Sequence, residues 1–140
     1  MSSLVHIGGC HCGALRWTLE TLHPITEFAP RACDCDFCTR HCAAWVSDSQ
    51  GSLRIKATSA DLQCYHQGSG QAEFLVCRNC GVLVAVIART HEGHLRGGVN
   101  RNSFDQRDQF PAEVPVSPQQ LAPEAKRARW SQLWTPTELI

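Results

Sequence analysis

The sequence predicts a mainly β protein made of small packed sheets, and three observations lead there. The first hundred residues break into short runs of strand character separated by Gly, Asn and Ser clusters. The longest apolar run, Val82 to Ala88, is rich in β-branched residues and far too short to cross a bilayer, so it suits a buried strand. Most of the nine cysteines fall into three tight clusters, which can staple small sheets together.

Taken in order, strands are expected at Val5 to Gly8, Ala14 to Leu19, Ala43 to Val46, Leu53 to Lys56, Cys64 to His66, Phe74 to Cys77, Val82 to Ala88 and Leu95 to Val99. Their spacing suggests sheets packed face to face. Cys35 to Cys42 reads as a knuckle leading into a short helical turn. From Ser103 the character changes, because Pro111, Pro115, Pro118 and Pro123 hold the chain extended until Ser117-Pro118 can start a helix running through Arg129. This tail, 103–140, is expected to wrap a core spanning about 4–102 within a single domain, with Trp130 and Trp134 packed on the β core. Trp17, Trp45 and Cys64 are expected in the core as well. Gly97-Gly98 reads as a bulge or turn, which can also let a ligand approach the backbone.

At 140 residues the chain is long enough for one domain with its own core. Lys+Arg and Asp+Glu balance at 13 each, so there is no basic field to drive phosphate-backbone binding, and neither nucleic acid nor membrane is an expected partner. Met1-Ser2-Ser3-Leu4 lacks a basic stretch followed by an apolar one, so no secretory leader is expected and the chain is placed in the cytosol. In that reducing compartment nine cysteines, an odd number, point to metal rather than disulfides.

The clusters are Cys10-His11-Cys12-Gly13, Cys33-Asp34-Cys35-Asp36-Phe37-Cys38 and Cys77-Arg78-Asn79-Cys80-Gly81. In the third, two intervening residues allow a knuckle whose backbone N–H groups point at the sulfurs, and the trailing Gly closes the turn at positive φ. The first cluster has the same trailing Gly and presents its two sulfurs on one face of an extended segment. Cys10, Cys12, Cys77 and Cys80 together can make a closed, structural four-thiolate zinc site. Cys33, Cys35 and Cys38 can cap one face of a second zinc and leave a position where a small thiol or water is acidified. Cys42, four residues past Cys38, can instead close that site, and spacing alone leaves both arrangements open. His11, Asp34, Asp36 and His41 interleave with the ligands and suit supporting contacts.

The run G-G-C-H-C-G-A-L-R-W, then C-D-C-D-F-C, then C-R-N-C-G resembles the glutathione-dependent formaldehyde-activating enzyme family, also known as the centromere protein V domain, on the Mss4-like fold. The resemblance spans roughly residues 6 to 102. It implies that Cys10, Cys12, Cys77 and Cys80 hold a structural zinc, and that Cys33, Cys35 and Cys38 are the ligands of a catalytic one. It implies addition of glutathione to formaldehyde, giving S-hydroxymethylglutathione, the reverse of a carbon–sulfur lyase reaction. Arg40, Arg78 and Arg101 are the expected partners of the glutathione carboxylates. Two other readings compete, a binding module in which both metals are structural and a thiol-based redox or metal sensor.

Overall fold

The computed structural model describes residues 3–68 and 70–140. Met1 and Ser2, where the sequence was read for a leader, lie outside them. Eleven strands and two α-helices follow in the order β1 (Leu4–Gly9), β2 (Arg16–Thr21), β3 (Arg31–Cys33), α1 (Asp36–Arg40), β4 (Trp45–Val46), β5 (Ser52–Lys56), β6 (Leu62–Tyr65), β7 (Glu73–Cys77), β8 (Leu83–Arg89), β9 (Leu95–Asn100), β10 (Val114–Val116), α2 (Pro123–Leu133) and β11 (Thr135–Leu139). The protein is mainly β, as expected. The small sheets are joined into one mixed sheet, because β11 pairs with β5 on one side and β9 on the other. Among the described residues only β10 on β3 and β11 on β5 run parallel, and β10 and β11 both come from the tail.

The antiparallel meander β6-β7-β8-β9 divides the interior. Six consecutive residues of β8, Leu83 to Ala88, are buried, which explains an unbroken apolar run where a half-exposed strand would alternate. Val84 and Ile87 face one core with Trp17, Leu19, Leu53 and Ile55, while Leu83, Val86 and Ala88 face a second with Trp45, Phe74, Trp130 and Trp134. The first core binds the halves of the sheet together, and the second lies under the tail. Trp17 closes the first core, its indole N–H donating to Ser103 Oγ at 3.0 Å and its ring edge-on to Phe104.

Gly8 sits opposite Trp17 in the β1–β2 pairing, and the Trp17 ring and the Ser103 carbonyl occupy the space a Cβ would need. Gly8→Ala therefore overpacks a fully buried junction. It is expected to cost about 3 kcal/mol, read as a fall in melting temperature of roughly 10 °C.

Four expectations are corrected. The helix starts at Pro123, not Pro118, because a proline cannot donate within a helix and forces its predecessor out of the helical region; Ala122 is extended at ψ 156° and Pro118–Gln120 form only a 3-10 turn. The helix then continues past Arg129 to Leu133. Cys64 is exposed, because β6 pairs, among the described residues, with β7 alone and is an edge strand. Gly97 and Gly98 form neither bulge nor turn but lie buried inside β9, where a Cβ on Gly97 would stand 2.8 Å from the Val86 carbonyl. Close strand packing, not a ligand, explains that glycine.

Candidate metal centres and the cavity above one of them

Cys10 directly follows β1. Its N–H donates to Leu15 O at 3.0 Å and its Sγ accepts from Leu15 N at 3.2 Å, while Gly13 turns the chain at φ 87°. Cys77 ends β7 in the same way: Cys80 N donates to its Sγ at 3.4 Å, and Gly81 turns at φ 82°. The two knuckles face each other, with Cys12 Sγ 3.6 Å from both Cys10 Sγ and Cys77 Sγ and all four sulfurs within 4.8 Å of one another. Tetrahedral zinc with Zn–S bonds of about 2.3 Å needs sulfurs about 3.8 Å apart. The donor set fits, and a soft four-sulfur set suits zinc. A side-chain hydrogen bond from Asn79 holds the Cys12 thiol below its ordinary value, easing loss of the proton that binding requires.

The second cluster is assembled locally. Cys33 is the last residue of β3, Cys35 caps the N-terminus of α1 by accepting from Cys38 N at 3.4 Å, and Cys38 lies within that helix. Their three sulfurs lie within 4.8 Å of one another. The hydrogen bond with Cys38 pulls the Cys33 thiol down to about 6 despite burial, and the same bond pushes Cys38 up. The Trp45 indole and Gln67 Nε2, the latter 3.9 Å from Cys35 Sγ, add N–H groups pointed at sulfur. Asp34 is held outward by Ser117 and Gln119 of the tail.

Cys42 is exposed and stands outside this cluster. It occupies the residue after the α1 C-cap with φ 52°, a left-handed conformation in which the Ala43 N–H reaches back to Cys38 O at 2.9 Å. Glycine relieves the side-chain strain of such a position. Cys42→Gly is expected to raise stability by about 1 kcal/mol with bound metal unchanged, read from denaturant midpoints and metal content; loss of metal would make Cys42 a ligand.

Cys33, Cys35 and Cys38 line a cavity of about 550 Å³. Trp130 and Trp134 of the tail, stacked at 4.9 Å, form part of its apolar wall beside Trp45, Phe74 and Val86. Arg31, Lys126 and Arg129 supply its cations. Burial, with the Arg129 charge nearby, lowers Arg31 to about 10, so it stays protonated at neutral pH. Burial likewise lowers Arg129, with the Cys33 sulfur acting against that shift.

The expected carboxylate partners lie elsewhere. Arg40 is paired with Asp36 at 3.1 Å one turn away on exposed α1, Arg78 donates to Leu62 O, and Arg101 faces Glu113 at 3.9 Å. None of the three lines the cavity. Arg40 and Arg78 sit beside cysteine clusters, but their side chains bond to Asp36 and Leu62 O, while Arg101 lies in the 3-10 turn after β9. Arg31 precedes Cys33 by two on β3 and so shares its face, a relation that shows only once the three-residue strand is known. Lys126 and Arg129 are brought in by α2 from far along the chain, which no local pattern reports.

A mixed β sheet with four sulfurs gathered between the ends of β1 and β7, and three more facing a cationic cavity, defines a small protein with two cysteine clusters that could hold metal and room for a ligand beside one of them. The chain matches the family model described as glutathione-dependent formaldehyde-activating enzyme over residues 5–120, and it belongs to that family. A crystal structure of a Rhodobacter sphaeroides protein is similar, at 29% identity and a TM-score of 0.57, covering 78% of this chain and 97% of that one. Among the described residues no helix is long and apolar enough to cross a membrane.

Proposed function

We propose that this protein catalyses addition of a small thiol, glutathione or a close relative, to formaldehyde or another small aldehyde, in the cytosol, with Cys33, Cys35 and Cys38 holding a catalytic zinc and Cys10, Cys12, Cys77 and Cys80 a structural one. The observation that carries the reading is that the second cluster offers three sulfurs to a cavity, with Cys42 apart from them. Zinc at such a site supplies Lewis acidity, which makes a thiol acidic near neutral pH and polarises a carbonyl. The reaction is balanced without any further reactant: the thiol gives up its proton, a C–S bond forms as the carbonyl π bond breaks, and the oxygen takes up a proton.

The residues of the chain divide the remaining work. The Trp45 indole and Gln67 direct N–H groups at the cluster and stabilise its negative charge. The Trp130–Trp134 stack covers one side and limits water. Arg31 and Arg129 attract anionic reactants and favour charge developing on oxygen. Formaldehyde and thiols combine unaided, so the test is a comparison of rates. In ¹³C exchange NMR with labelled formaldehyde and glutathione, the zinc-loaded protein is expected to speed adduct exchange well above the unaided rate. No acceleration with a fully metal-loaded protein would contradict catalysis and favour a binding module.

A further inference from the structure

No carboxylate among the described residues pairs with the cations of the cavity. Among the described residues Arg31, Lys126 and Arg129 take part in no ion pair, although all three line the space above Cys33, Cys35 and Cys38. The acidic residue on the lining, Asp36, is paired with Arg40. Three thiolates around a divalent metal carry one net negative charge, against three positive charges here, so an excess of positive charge remains for a ligand.

Arg31 is held in place rather than loose. Its Nη2 donates to Ser47 Oγ at 2.7 Å, and Ser47 Oγ in turn donates to Leu133 O, at the end of α2, at 2.6 Å. Further bonds fix the same end of the helix, with Arg96 Nη1 donating to Trp134 O at 2.9 Å and Asp48 N to Thr135 Oγ1 at 2.8 Å. The helix that brings Arg129 is thereby tied to the residue that orients Arg31. That helix, Pro123–Leu133, lies beyond residues 5–120, the segment shared with the family model.

We propose that Arg31 and Arg129 form a carboxylate-binding pair, and that α2 makes this chain selective for thiols bearing an acid group, whose aliphatic part lies against the Trp130–Trp134 wall. The proposal rests on the cavity being a thiol site. A planar guanidinium offers paired N–H donors matched to a carboxylate, and two of them in a partly dry cavity bind one far better than in water.

The test uses the full zinc-loaded chain and three probes: glutathione, its diethyl ester, in which both acids are masked, and 2-mercaptoethanol, which has none. For the wild type, KM for glutathione is expected about tenfold below that for the diester. Arg129→Gln is expected to bring the ratio of the two KM values close to one, while Arg129→Lys, which keeps the charge, restores a good part of it. Thermal melts of the variants establish that they are folded. Equal KM values for acid and ester in the wild type, or an Arg129→Gln effect that weakens both alike, would overturn the carboxylate pair while leaving thiol addition intact. No acceleration of any of the three thiols above its unaided rate would remove the thiol reading itself, and the pair with it.

Discussion

Cys77→Ser is expected to yield no cooperatively folded protein, rather than a weakened enzyme. Cys77 is buried in the first core at the end of β7, and its sulfur joins that strand to the Cys10–Cys12 knuckle at the end of β1. Structural zinc contributes on the order of 10 kcal/mol or more to folding, against a total stability of about 5–15 kcal/mol for a domain. Losing one of four ligands forfeits much of that contribution and also leaves a hydroxyl in an apolar core. The expected readout is the loss of a sharp thermal transition together with loss of bound metal. A transition within a few degrees of the wild type, with both metals retained, would show that the closed cluster does not hold the fold.

Cys35→Ser is expected to do the opposite, leaving the fold and removing the chemistry. Serine suits the N-cap position, so the bond from Cys38 N to residue 35 survives and α1 keeps its start. The cluster lies on the short elements β3 and α1, with β3 last but one in the strand order β1-β2-β5-β11-β9-β4-β3-β10, away from the β1-β2-β5 half of the sheet. The metal contributes less to folding there, while a neutral hydroxyl replaces a thiolate ligand. Adduct exchange is expected to fall to the unaided rate, bound zinc from two per chain towards one, and the melting temperature by only a few degrees. Global unfolding of Cys35→Ser would make the second site structural as well.

The contrast follows from what a sequence carries locally. Knuckles, glycines at positive φ and β-branched runs are local, and the three cysteine clusters together with the strands of the meander were legible for that reason. Strand β3 was not, being three residues between Pro30 and Asp34 with no alternation to announce it. β10 and β11 contain Pro115 and Pro136, and proline argues against a strand until the partner is known; β10 tolerates it at the sheet edge. Both pair in parallel with strands distant in sequence, and such pairing leaves no short-range mark. The cavity was hidden for the same reason. Its floor is the local cluster, but Trp130 of its wall and Arg129 belong to a helix some ninety residues further on. A charge balance of 13 against 13 gave no hint that the cations converge on one cavity.

The division into one closed and one thiol-accessible centre is tested most directly by counting metal per chain and following cobalt-substituted protein by absorption while glutathione is added. Two metals per chain are expected, with one set of cobalt bands shifting on thiol addition and that set missing from Cys35→Ser. Two metals that both ignore the thiol, or a single metal per chain, would contradict an accessible centre at Cys33, Cys35 and Cys38.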